Sequence, residues 1–116
     1  MKAVFINAEK RTVEDIEINF KGDCGLDEFY ETIGHGCDIV QHVYLDALAP
    51  EKKTGDVLVV DEESFSRPIT FGFIIRDFQV IGNGIIVGSG KEDFCDAKLT
   101  AKDIEPMIDE FFTLLS

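Results

Sequence analysis

Tryptophan is absent from this chain, and cysteine and proline appear three times each. The lack of Trp removes the commonest large anchor of protein interfaces. Cys24, Cys37 and Cys95 are odd in number and widely spaced, which excludes the disulfide framework of a small secreted domain. No window approaches the ~20 apolar residues that a bilayer span requires. Met1-Lys2 runs straight into a strand-like Ala3-Val4-Phe5-Ile6, without the apolar core of a leader peptide. These absences predict a cytoplasmic protein with no membrane association. Basic residues are scarce as well: 11 Lys and Arg stand against 23 Asp and Glu, a formal charge of −12. Binding to a phosphate backbone needs clustered Lys and Arg to displace counterions, so direct nucleic-acid binding is not expected. The acids are scattered, and their longest run is Asp61-Glu62-Glu63. Such a surface serves solubility, or it lets a protein mimic nucleic acid or dock on a basic partner.

What is present suffices for one core. The 116 residues fit a single domain, 1–116, and 45% of them are apolar, ten of them Phe. Lys2 to Ile6 and Thr12 to Phe20 alternate in polarity around a polar turn, which predicts a β-hairpin with one wet face. From Leu26 the spacing changes: Leu26, Phe29, Tyr30 and Ile33 share one face of a short helix that stops at Gly34. Cys37 to Leu45 reads as a strand and Ala47 to Gly55 as a loop. Val57-Leu58-Val59-Val60 is a continuous apolar run, as expected of a strand covered on both faces. Ile69 to Ile75 is mostly apolar, with Gly72 marking a bulge or a close backbone approach. Its neighbourhood, Ser64 to Phe78, fits strand or loop. Thr100 and Asp103 suggest a capping box, followed by a helical stripe of Ile104, Met107, Ile108, Phe111, Phe112 and Leu115. Pro106 either distorts the first turn of that helix or restarts it. The expected fold is α+β in two layers: a mostly antiparallel sheet, with a short helix after the first hairpin and a C-terminal helix packed on it.

Candidate chemistries are few. Gly82-Asn83-Gly84 and Gly88 miss the dinucleotide fingerprint, and a strand-like Ile-Ile-Val follows Gly84 in place of a helix. The stretch Gln79 to Gly90 therefore reads as a bend between strands. Cys24, His35, Cys37 and His42 are suitable zinc donors, but their spacing matches no compact zinc knuckle. No metal and no cofactor is expected, and no catalytic residue. Arg67 and Arg76 flank a Phe-rich run, and Arg beside aromatics suits either a small anionic ligand or a protein interface. Arg67, Phe71, Phe73, Arg76 and Phe78 are therefore the candidate ligand- or partner-binding residues.

Several stretches together resemble a family. They are Met1 to Ile6 with the hairpin and short helix after it, Asp38-Ile39-Val40, Val60-Asp61-Glu62-Glu63, Ile81 to Gly88, and Leu99-Thr100 with Asp103-Ile104. In order and spacing they resemble small phage, plasmid and integrative-element proteins grouped as domain of unknown function 3846. Between Ser64 and Phe78 the chain departs from that pattern, with a Phe- and Ile-rich segment where the family has a loop containing Pro or Asn. The resemblance implies no activity and no catalytic residue. It implies a mobile-element setting, in which small acidic proteins often antagonise host defences.

The expectation is a non-enzymatic binding protein that occupies a host protein, mimics nucleic acid or sequesters a small nucleotide, with a homo-oligomer as one arrangement for a shared pocket. The alternatives are a small hydrolase using carboxylates near Asp61 with His42, or a structural subunit without ligand.

Overall fold

The structure, a computed structural model, describes residues 1–19, 26–90 and 93–114. Phe20, Cys24 and Leu115, which enter the expectations above, lie outside the described residues. The chain folds as an α+β protein in which every strand pairing among the described residues is antiparallel.

The first hairpin is β1 (Lys2–Asn7) and β2 (Thr12–Glu17), in a register that sets Lys2 opposite Glu17 and Asn7 opposite Thr12. Helix α1 (Asp27–Ile33) follows and buries Phe29 and Ile33, and Gly34 ends it at φ 73°. Then come β3 (Val40–Tyr44), the single-turn helix α2 (Leu45–Leu48) and β4 (Asp56–Asp61). A 3-10 turn at Ser64–Ser66 leads to β5 (Phe71–Ile75), β6 (Phe78–Ile81), β7 (Gly84–Ser89) and the short β8 (Phe94–Cys95). Ser64 to Phe78 is thus turn, loop and strand in succession.

Two sheets result. The larger has the order β2–β1–β7–β4–β3, with β8 pairing to the end of β7. The smaller has the order β6–β5–β9, where β9 is Ile108–Thr113. Strands β4 and β7 sit in the middle of the large sheet, and both faces of β4 are buried along its length. Leu58, Val60 and Ile86 face the small sheet and pack with Phe73, Ile75 and Val80. Val57, Val59, Ile85 and Val87 face the other way, onto Phe29 and Ile33 of α1. The molecule therefore has three layers where two were expected. The unbroken apolar run of β4 is what a central layer requires.

Glycine permits close approach in two places, between the sheets at Gly84 and within the small sheet at Gly72. A Cβ on Gly84 would stand 2.9 Å from Leu58 Cδ1 and 3.0 Å from Phe73 Cζ. One on Gly72 would stand 2.1 Å from the carbonyl oxygen of Val80. Gly72 thus marks a close backbone approach. The stretch from Gln79 to Gly90 carries the chain from the edge of the small sheet into the centre of the large one. Gly82 turns it at φ 91°, and buried Asn83 accepts from Ala8 N–H and donates to the Ile33 carbonyl.

The expected C-terminal helix is corrected. Helix α3 covers only Ala101–Ile104, opened by the Thr100–Asp103 capping box. A 3-10 turn holding Pro106 follows at Glu105–Met107, and then the chain extends as β9. Pro106 cannot donate to the carbonyl four residues back, and its ring crowds it, so the helix ends before a second turn. Strand β9 then pairs with β5, and Asp109 is the extra residue where the register shifts between Ile74 and Ile75. That bulge breaks the period of two and leaves an apolar spacing that imitates a helix. No helix among the described residues is long and apolar enough to cross a membrane.

Candidate functional site

The sequence singles out Arg67, Phe71, Phe73, Arg76 and Phe78, and the structure distributes them. Arg67 follows the Ser64–Ser66 turn and folds back onto the end of β4. Its Nε donates to Asp61 Oδ2, and its Nη2 donates to Asp38 Oδ1 at 2.8 Å. Asp61 is buried, and its other oxygen accepts from Glu63 N–H at 2.9 Å. The Asp61 carboxylate is the main reason the guanidinium is held above its ordinary pKa, with Asp38 adding to it. Arg67 thus ties the loop after α1 to the end of the central strand.

Arg76 lies beyond the other end of β5. With Asp77 it forms a two-residue hairpin turn with both residues at positive φ, 45° and 68°, the backbone of a type I′ turn. The bulge residue supports this turn: Asp109 Oδ2 accepts from Asp77 N–H at 2.7 Å, and the Met107 carbonyl accepts from Arg76 N–H at 3.1 Å. The Arg76 side chain pairs with Glu51. Strand β5 separates Phe71 from this turn, a span of roughly 16 Å at strand rise. Phe73 is fully buried in the inter-sheet core. Phe71 and Phe78 are half-buried against the same core, and Phe71 also meets the edge of the His35 ring at 4.9 Å between centroids. These five residues do not converge on one pocket.

Other groups weighed from the sequence are also tied into the fold. The Cys37 thiol is buried beneath α1, and its Sγ lies 3.7 Å from the Ile39 carbonyl. Burial, followed by the charge of Asp61, pushes this thiol up to about 11, far from the thiolate that nucleophilic chemistry needs. The ladder begins at Val40, so Cys37 precedes the strand that was expected to contain it. His42 on β3 lies opposite Val59, and its ring stands edge-on to Phe94 at 4.9 Å. Among the described residues no hydrogen bond or ion pair joins His42 to a carboxylate, and no three His, Cys, Asp or Glu side chains gather as a metal site would require.

Sequence reasoning missed the apolar groups left outside. Phe65, on the turn after β4, is 83% exposed; Tyr44 on β3 is 64% exposed and Ile39 just before it 40%. Phe65 overhangs a crevice of about 70 Å³ between the large sheet, at Gln41 and Val60, and the edge strand β6, at Gln79 and Ile81. The exposed acids Glu62 and Glu63 adjoin it. A lone Phe between acids and serines carries no periodicity, so no sequence pattern marks it. The volume is far below the ~300 Å³ at which small-molecule sites begin.

A larger hollow of about 370 Å³ lies on the opposite side, lined by Lys2, Asp15, Glu17 and Leu99 among others. Its carboxylates already have partners: Asp15 accepts from Ala101 N–H, and Glu17 pairs with the Met1 amine.

The class these observations define is an antiparallel α+β protein of two packed sheets, with Phe65 and Tyr44 exposed. Comparison of the chain with protein-family models, curated proteins and solved structures gives no match.

Proposed function

We propose that this chain is a non-enzymatic, cytoplasmic binding protein that acts by occupying a basic surface on a host protein. The observation that carries this reading is the state of its two candidate arginines. Arg67 is held by Asp61 and Asp38, and Arg76 by Glu51. An anionic nucleotide would have to break those pairs, whereas a basic partner meets an exterior that carries most of the −12 charge. Exposed Phe65 and Tyr44 add the aromatic contact that interfaces favour. The resemblance to the domain of unknown function 3846 family supplies the setting, a phage or other mobile element meeting its host. Partner occlusion is thereby favoured over sequestering a nucleotide and over hydrolysis at Asp61 and His42.

The test is recovery of the tagged full chain from a bacterial host after cross-linking, with mass spectrometry of both proteins and small molecules. A single basic protein recovered in stoichiometric amount, and released as salt is raised from about 0.1 M to 1 M, is the expected outcome. Recovery of a nucleotide without a protein partner would overturn the reading, and so would recovery of neither.

A further inference from the structure

Among the described residues, β2 and β3 form the outer edges of the large sheet and β6 and β9 those of the small one, with the two-residue β8 beside the end of β7. An open edge offers unpaired backbone groups to any passing strand, and proteins blunt this with charges, prolines or bulges. Strand β2 carries Glu14, Asp15 and Glu17, and β9 carries Glu110 and the bulged Asp109. Strand β6 is uncharged but only four residues long, and its Gln79 and Ile81 border the crevice under Phe65. Strand β3, Val-Gln-His-Val-Tyr, has no acid, no lysine or arginine, no proline and no register shift. Among the described residues it is the edge without such protection.

The phase of its hydrogen bonds shows which groups are open. Glu62 N–H donates to the Ile39 carbonyl at 3.1 Å, so residues 39 and 62 form a hydrogen-bonded pair. Such pairs alternate along an antiparallel ladder. Gln41 and Val43 therefore bond to Val60 and Leu58, their opposite residues on β4, while Val40 and His42 turn their backbone N–H and C=O outward. Among the described residues nothing meets those outward groups. Tyr44 and Ile39 are exposed at the two ends of the same edge, and the strand is bracketed by Asp38 and Asp46.

That bracketing selects the occupant. A second copy pairing antiparallel about His42 would bring the Asp38 and Asp46 ends of two chains of charge −12 each together. Among the described residues Asp38 is countered only by Arg67, which it shares with Asp61, and Asp46 only by the Thr54 and Gly55 N–H groups. An extended segment with Lys or Arg at both ends and alternating apolar residues between them would instead match acids to bases. Resting on the reading of the chain as a binding protein, we infer that β3 is its docking edge, and that an extended, basic-ended segment of a partner protein adds to the large sheet there as a further strand.

The probe is the synthetic peptide Lys-Lys-Val-Thr-Val-Thr-Val-Lys-Lys, with a control bearing Glu in place of every Lys, each added to the full chain at about 1 mM. Amide exchange followed by NMR is expected to slow at Val40 and His42 by about tenfold or more with the basic peptide alone. Gln41 and Val43, already bonded to β4, should change far less. H42P removes an outward donor and leaves the β4 ladder its bonds, and Y44K places a like charge on an exposed position. Each is expected to weaken peptide binding about tenfold, with Y44K serving where H42P does not fold.

Basic peptide binding that leaves Val40 and His42 unprotected would overturn this edge and leave the proposed function standing. Equal protection by both peptides would overturn the charge argument. A dimer of the chain that H42P dissociates would assign the edge to a second copy instead. Binding of neither peptide overturns the inference, and only the further absence of a basic partner in the host would also remove the proposed function.

Discussion

Strand β4 begins and ends on a buried aspartate, and the two ends handle their carboxylates differently. At the start, Asp56 accepts from Lys98 N–H at 3.1 and 3.0 Å and from Leu99 N–H at 2.9 Å. No cationic side chain pairs with it among the described residues, and burial raises its pKa despite those backbone donors. At the end, Asp61 meets the Arg67 guanidinium and the Glu63 N–H. The first arrangement fastens a loop to the sheet through backbone dipoles. The second fastens two loops through a side-chain charge that is itself shared with Asp38. A buried acid alone therefore says nothing about chemistry, because both of these serve the fold. What differs is what each end loses when its acid is removed.

The largest effect is expected at the charged end. D61A removes the main partner of the half-buried Arg67 guanidinium and leaves only the exposed Asp38, so it should destabilise the chain more than D56N or C37A does. Urea unfolding measures this. The comparison sharpens in the double variant with R67M, where the stranded charge is gone and the cost of D61A should shrink. Equal costs of D61A with and without Arg67 would mean that the ion pair does not govern this end.

Much of this architecture was legible in the sequence. The β1–β2 hairpin, α1 with its Gly34 stop, the doubly buried β4 and the Thr100–Asp103 capping box all follow from local periodicity or local hydrogen bonding. What was hidden depends on partners distant along the chain. Arg67 finds Asp61 six residues away and Asp38 twenty-nine away, and no local pattern joins three such positions. Strand β9 was hidden because Asp109 bulges, so Ile108 and Phe111 fall three apart as on a helix. Gly84 admits the Phe73 ring from the other sheet and Gly72 admits its neighbours within the small sheet, and a sequence shows only that they are glycines. Of the candidate site, the arginines were visible as residues but not as paired ones.

At the uncharged end the effect should be smaller and should depend on pH with a definite sign. The folded state keeps the Asp56 proton to a higher pH than the ordinary 3.8. The stability this contributes is complete below 3.8 and is lost as pH rises through the raised folded value. D56N carries no titrating group, and its amide nitrogen would face a backbone donor, at a cost of about 1 kcal/mol at pH 7. The difference in stability between the natural chain and D56N should therefore move in favour of the natural chain as pH falls through that window. Thermal unfolding of both between pH 7 and pH 3 tests it, and a difference constant with pH would remove the burial argument for Asp56.

The smallest effect on stability at neutral pH, yet the clearest discrimination between the ends, is expected at Cys37. Its thiol lies near Asp61, and burial first, then the Asp61 charge, raises it to about 11; Cys95 is exposed near the opposite end of the sheet. At pH 8, iodoacetamide followed by peptide mass spectrometry should alkylate Cys95 at least about tenfold faster than Cys37, since the thiolate is the reactive form. D61A should accelerate Cys37 by removing the charge and loosening the cover, while D56N should leave it slow. The same group predicts a loss of stability as pH climbs from the ordinary 9.0 through about 11, because the folded state disfavours the thiolate that the unfolded chain accepts. C37A should flatten that alkaline limb. If D56N and D61A unmask Cys37 equally, the two ends of β4 do not open independently, and the strand is held as one unit.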